Sequence, residues 1–271
     1  MEEKNNKNSE IPKVIHYCWF GGAELPELAK KCIQSWKEHF PEYKIKEWNE
    51  SNFDVNCCDY VKEAYLEKKW AFVSDYARFY ILYNYGGLYF DTDVEVIKNM
   101  DNIIKNGPFM GCEYDYAYGS KNEIFINPGL GLGVNPGLNI YKEVLGFYKT
   151  IHFKNANGTL NEHTVVEYTT NIFKKYDFDA TTHIVQKIKG VSIYPPEYFC
   201  PLNYVSKELS ITDNTVSIHH YTASWHSKLE KIIISIERSK NKNGLGYKFK
   251  RIFSLPFRVV NKISKMFKRR G

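Results

Sequence analysis

The stretch that most restricts what this chain can become is KKWAFVSDYARFYILYNYGGLYFDTDVEV, residues 68–96. Phe72, Tyr76, Phe79 and Tyr83 fall at i, i+4, i+7 and i+11, one apolar stripe that predicts a helix with a buried face. Gly86 and Gly87 follow, where a helix stop needs a backbone of positive φ. LYF then reads as a buried strand, and Asp91 and Asp93 come at its end. Residues i and i+2 of a strand share a side, so the two carboxylates project together if the extended geometry persists through them. The other reading of D-T-D is a plain turn at a strand end. Two unpaired carboxylates there repel each other and cost several kcal/mol to desolvate. A divalent cation with oxygen ligands, Mg²⁺ or Mn²⁺, shared with substrate phosphates is the economical remedy. In open α/β sheets the ligand crevice lies at the carboxyl ends of strands, where this pair falls.

The flanking sequence predicts the sheet. IPKVIHYCWFGG (11–22) reads as a buried strand ending in a glycine turn. Leu25, Leu28, Cys32, Ile33 and Trp36 then recur at helical spacing until Pro41, and YKIKEWNE alternates as a strand. Strand–helix–strand implies an α/β domain with a parallel sheet. On the second helix Asp75 and Arg78 stand at i and i+3, nearly one face, within an aromatic, buried-looking surface. A buried Arg–Asp pair is costly unless it serves a network. Helix, Gly-Gly turn and strand bring Asp75, Arg78, Asp91 and Asp93 to one region.

Taken together, FVSDYARFYILYNYGGLYFDTDVEV resembles the signature of D-x-D glycosyltransferases, most closely glycosyltransferase family 32, which includes yeast Golgi mannosyltransferases and bacterial capsule and lipopolysaccharide enzymes. It is also similar to the glucosylating domain of the large clostridial toxins. The pattern S-D-x-x-R followed by G-G-x-Y-x-D-x-D is met at Ser74, Asp75, Arg78, Gly86, Gly87, Tyr89, Asp91 and Asp93. IPKVIHYCWFGG matches the family's first strand and HHYTASW (219–225) its closing motif, while 138–215 is thin in resemblance.

The resemblance implies a GT-A fold, a nucleotide-binding, Rossmann-like α/β sandwich with a mostly parallel central sheet. It implies transfer of a sugar from a nucleoside diphosphate to an acceptor hydroxyl. Asp93 would bind the metal on the diphosphate. Asp91 would hold the ribose or donor sugar and assist the metal. Asp75 and Arg78, beside Ser74, would bind hydroxyls of the transferred sugar, and Tyr89 would line the nucleotide pocket. Trp19, after Cys18 at the end of the first strand, would stack on the base, though it also suits a core position. Of His219 and His220, only one should point inward; His220 is favoured as the metal ligand because it precedes Tyr221, as in glycogenin-like enzymes. Ser224 and Trp225 would contact the diphosphate. INPGLGLGVNPG (126–137) could serve where donor and acceptor meet, with Asn127 as its candidate side chain; no Lys follows in Walker spacing. The expected donor is a UDP-sugar ahead of a GDP-sugar, the acceptor a saccharide or lipid-linked saccharide, and the transfer retaining.

Charge divides the chain. Residues 228–271 carry 14 Lys and Arg against two Glu, so the remainder of this +6 chain is net acidic. The basic stretch interleaves bulky apolar residues with its cations, which suits an anionic membrane surface ahead of a core-packing helix with solvated charges, and a nucleic-acid groove least. Three segments follow: a polar lead-in (1–10), a catalytic domain (11–227) and an amphipathic tail (228–271). The lead-in lacks the apolar core of a secretory signal, and no run of about 18 apolar residues would span a bilayer. Cys18, Cys32, Cys57, Cys58, Cys112 and Cys200 show no C-x-x-C pair and are expected as reduced, mostly structural thiols. A peripheral enzyme on the inner face of the cytoplasmic membrane, working in capsular polysaccharide or lipopolysaccharide assembly, accommodates all of this. The rivals are another metal-dependent phosphoryl enzyme, whose D-x-D would fall after the first strand, and a sugar-nucleotide binding protein that has lost turnover.

Overall fold

A computed structural model describes residues 10–114 and 123–222. Ser224, Trp225 and the basic tail lie outside the described residues. The elements run β1 (Val14–Cys18), α1 (Glu27–His39), β2 (Lys44–Trp48), α2 (Asp59–Leu66), α3 (Trp70–Tyr85), β3 (Gly87–Tyr89), β4 (Val94–Val96), α4 (Asp101–Lys105), β5 (Phe109–Tyr114), β6 (Ile124–Ile126), β7 (Leu132–Val134), α5 (Asn139–Tyr148), α6 (Val165–Lys174), β8 (Gln186–Ile188), β9 (Val191–Tyr194), α7 (Pro196–Phe199) and β10 (Ser217–His219). All belong to one compact unit.

The central sheet is ordered β2-β1-β3-β7-β5-β9-β8, with β6 paired to β5. Strands β2, β1, β3, β5 and β9 run one way and β7 and β8 the other. A separate antiparallel pair joins β10 to β4, with His219 opposite Val94. Side chains alternate across the sheet: Ile15, Tyr17 and Leu88 enter one apolar cluster with Trp36 of α1 and Phe199 of α7. Cys18 and Tyr89 enter another with α3, α5 and α6. Helices thus cover both faces, the mostly parallel α/β sandwich that the sequence predicts.

Helix α3 ends where the glycines predict. Gly86 caps it at φ +63°, and Gly87 follows at φ +100°. A Cβ on Gly87 would sit 2.6 Å from the Val14 carbonyl oxygen, so the close approach of β3 to β1 requires glycine. His16 of β1 fastens this turn. Its Nε2–H donates to the Gly86 carbonyl at 3.0 Å, and its Nδ1 accepts the Trp48 indole N–H at 3.0 Å. Both ring nitrogens are used by the neutral imidazole, and burial pushes its pKa down to about 4. The six cysteines are free thiols, as expected.

Candidate active site

The extended geometry assumed for D-T-D does not persist. Val94 N–H donates to the Asp91 carbonyl at 3.0 Å and closes a turn over 91–94. Asp91 and Asp93 therefore meet different partners while staying close enough to repel. The turn is fixed from three sides. Asp91 N–H donates to the Gly129 carbonyl at 3.0 Å, His220 N–H donates to the Asp93 carbonyl at 2.9 Å, and the Trp36 indole of α1 donates to the Val94 carbonyl at 2.8 Å.

Arg78 is the hub on one side. Its guanidinium lies 2.9 Å from Asp75 Oδ1 and 3.2 Å from Asp91 Oδ1, and its Nε–H donates to the Ser74 carbonyl at 3.1 Å. The Arg78 side chain is 4% exposed, Asp75 10% and Asp91 28%, so of the three Asp91 is the one presented to a ligand. Asp75 also accepts the backbone N–H of Val165, at the N-terminus of α6, where the helix dipole favours a carboxylate. Burial nevertheless pushes the Asp75 carboxyl up to about 7, with Arg78 opposing and Asp91 adding to the rise. Asp91 is raised as well, by burial first and then by Asp93, against the pull of Arg78.

Tyr89 does not line a pocket. It is 1% exposed, its hydroxyl donates to Asp91 Oδ1 at 3.0 Å, and its ring takes the Arg78 guanidinium at 5.1 Å. It is a prop for Asp91, because residue 89 of β3 faces the side of the sheet that α3 covers. Ser74 acts likewise: its carbonyl holds Arg78, and its hydroxyl bonds back to the Trp70 carbonyl at 3.1 Å. Cys18 lies buried beneath the same group, with its thiol pushed up to about 12 by burial. Trp19 sits at the carboxyl end of β1, half-buried, its indole N–H donated to the Ala23 carbonyl at 2.6 Å.

The histidine expectation needs correction. His219 is the residue at the aspartate turn, with Nε2 3.2 Å from Asp93 Oδ1. His220 puts its Nε2 2.8 Å from Glu95 Oε2, so the favoured ligand is turned away toward another carboxylate. Neighbouring residues of a strand face opposite ways, and it is His219 that faces inward. Burial pulls the His219 imidazole down, but the charge and hydrogen bond of Asp93 outweigh it and leave its pKa raised.

Asn127 is buried and joins a wall the sequence did not reveal. Its Nδ2 donates to Glu113 Oε2 at 2.8 Å, and its Oδ1 accepts Gly129 N–H at 2.7 Å. A Cβ on Gly129 would fall 2.1 Å from Asp91 Oδ2, so this loop lies directly on the aspartate. Glu113, near the end of β5, also accepts the Tyr221 hydroxyl at 2.7 Å. Its signal was the one that exposed Asp91, a carboxylate at the end of an apolar run, FMGCEY.

Among the described residues no group of three or more His, Cys, Asp or Glu could hold a metal ion unaided. The donor set still fits a hard cation that takes its other ligands from a diphosphate. Asp75 and Asp91 share the one guanidinium of Arg78, with Asp93 adding its charge beside Asp91, more buried carboxylate than the guanidinium balances, and His219 Nδ1 is buried without a partner.

Residues 26–110 match the family described as glycosyltransferase sugar-binding region containing DXD motif. That region holds Ser74, Asp75, Arg78, Asp91 and Asp93, and the similarity to glycosyltransferases there and along most of the chain supports that activity. Its relatives include an uncharacterized glycosyltransferase of Acanthamoeba polyphaga mimivirus, 27% identical over 82% of this chain and 87% of the relative. Another is inositol phosphoceramide mannosyltransferase 1 of Schizosaccharomyces pombe, 23% identical over 97% of this chain and 76% of the relative. Among solved structures, PaToxG glycosyltransferase superposes with a TM-score of 0.45 at 18% identity, over 61% of this chain and 70% of that one.

Proposed function

We propose that the chain moves a sugar from a nucleoside diphosphate donor, a UDP-sugar ahead of a GDP-sugar, to a saccharide or lipid-linked acceptor. The observation that carries this reading is the surplus of buried carboxylate at the carboxyl end of β3, where Asp75 and Asp91 share the one guanidinium of Arg78 and Asp93 adds its charge. Such a crevice is unfavourable empty and favourable with a cation and a polyol in it. Asp93 and His219, with Asp91 beside them, would hold Mn²⁺ or Mg²⁺. When bound, that ion neutralises charge growing on the leaving diphosphate without proton transfer.

The chain's own groups do the rest. Asp91, steadied by Tyr89 and Arg78, offers Oδ2 toward the Gly129 loop, where a donor hydroxyl can bond. Asp75 and Arg78 form the floor: fixed charged groups in a partly dry cleft read hydroxyl positions closely. Trp19, at the end of the neighbouring strand, would stack on the base. The S. pombe relative, named for inositol phosphoceramide, supports a lipid-borne acceptor here. Retention of anomeric configuration, a role in surface polysaccharide assembly and a place on the inner face of the cytoplasmic membrane belong to the same reading. Residues 228–271 would supply the tether; deleting 238–271 should abolish binding to anionic vesicles, and unchanged binding would remove the tether from the proposal.

The test is donor hydrolysis. The protein is mixed with Mn²⁺ and a panel of UDP- and GDP-sugars, and released nucleotide is measured. One donor should be turned over, Asp93→Ala should lower the rate by about 10²-fold or more, and EDTA should abolish it. Turnover indifferent to Asp93→Ala would defeat the metal assignment.

A further inference from the structure

Tyr221, two residues beyond the inward histidine, has φ +51°. A bulky side chain seldom adopts that left-handed conformation unless its surroundings impose it. Here the phenol imposes it. Its O–H donates to Glu113 Oε2 at 2.7 Å, and the Cys200 thiol, kept protonated by burial, donates to the phenol oxygen at 2.8 Å. Glu113 belongs to the central sheet, whereas Tyr221 follows β10 of the separate two-stranded pair. This contact therefore ties the two sheets across the crevice that holds Asp91 and Asp93.

The tie bears on His219. The Tyr221 and His219 rings lie 4.1 Å apart, centroid to centroid, at 53°. The imidazole is poorly fixed by its own hydrogen bonds. Nδ1 is buried with no partner, and the 3.2 Å approach of Nε2 to Asp93 is long. The Tyr221 ring supplies the missing constraint, and the Glu113 bond holds that ring.

We propose that Tyr221 is a positioning residue that sets His219 against Asp93, and that Glu113 is its anchor, a latch joining the two sheets. The proposal rests on the donor-binding reading of the site. Without the latch the backbone at 221 relaxes out of the left-handed region, the His219 ring turns, and only a fraction of molecules can take metal and diphosphate.

The experiment pairs Tyr221→Phe, which keeps the ring and deletes the phenol oxygen, with Glu113→Ala, Glu113→Gln and the Phe/Ala double variant. Binding of UDP in the presence of Mn²⁺ is measured by calorimetry, and the His219 ring resonances are followed by NMR in the ligand-free proteins. Tyr221→Phe should raise the Kd about tenfold, as the competent fraction falls, with kcat at saturation little changed. The His219 ring protons should move as the tilted ring contact is lost. Glu113→Ala should do the same, the double variant should be no worse than either single, and Glu113→Gln, which still offers an acceptor, should stay within about twofold of the parent. Losses that multiply in the double variant, or a His219 resonance unmoved by Tyr221→Phe, would overturn the latch. If the parent protein binds no UDP with Mn²⁺, the donor reading fails, while the ligand-free NMR result still judges the latch.

Discussion

Acid should loosen the turn that aims the aspartates, and His16 is where the proton acts. The neutral imidazole receives the Trp48 N–H on Nδ1 and gives its Nε2–H to the Gly86 carbonyl. Protonating Nδ1 puts a donor against a donor in a site 2% exposed. The folded pKa of about 4 lies below the ordinary 6.5. The unfolded chain therefore binds the extra proton more readily. The stabilisation is complete above pH 6.5 and is lost as pH falls from there toward 4. A separation of this size, at 1.36 kcal/mol per pH unit, amounts to about 3 kcal/mol in full, of which about 2 kcal/mol is gone by pH 5. With a urea m-value of about 2–3 kcal/mol/M, that is a fall in midpoint of roughly 0.7–1 M. His219 titrates in the opposite sense, so the wild type alone does not isolate the effect. His16→Gln does. Its amide can accept from Trp48 and donate to Gly86 without titrating. Urea melts at pH 7 and pH 5 should show the wild type losing about 2 kcal/mol more than His16→Gln over that interval. Parallel losses in the two proteins would refute the clamp.

Four further substitutions probe the carboxylate network. Arg78→Met should leave Asp75 and Asp91 buried without their cation, at a cost of about 3–5 kcal/mol, seen as a melting temperature lower by roughly 10 °C. Arg78→Lys should lose most donor turnover, because a single ammonium cannot serve Asp75, Asp91 and the Ser74 carbonyl at once. Gly129→Ala drives a methyl into Asp91 Oδ2, so donor turnover should collapse while thermal stability falls by only about 1–3 kcal/mol. Asp93→Asn relieves one of the crowded carboxylates and should raise the melting temperature slightly as it removes metal-dependent hydrolysis, a trade of stability against function.

What could be seen in the sequence was whatever depends on local geometry. The stripe of α3, its glycine stop and the apolar β3 each follow from a period or a backbone preference, and they bring Asp75, Arg78 and Asp91 together without long-range information. The errors begin where a neighbour in space decides. D-T-D could be an extended pair or a turn, and the carbonyl of Asp91 settled it by accepting from Val94. Tyr89 looked like a ligand-facing aromatic, but the alternation of β3 sends it under Asp91. His219 and His220 are indistinguishable until β10 pairs with β4 and one of them finds Glu95 instead.

Glu113 shows the same division more sharply. Nothing within FMGCEY says what its carboxylate is for, since Asn127 and Tyr221 come from distant parts of the chain. Yet the strand-end rule that exposes Asp91 applies to it unchanged. Parallel strands that share a carboxyl edge bring their last residues to one crevice, so an acid at that edge in β3 and another in β5 are neighbours by topology before any contact is known. The order of β3, β7 and β5 adds the condition that β7 must approach from the opposite direction. That places the loop before β7, with Asn127 and Gly129, between the two acids. A polar side chain that can bond one acid and a residue without a side chain beside the other are what that position demands, and N-P-G supplies them.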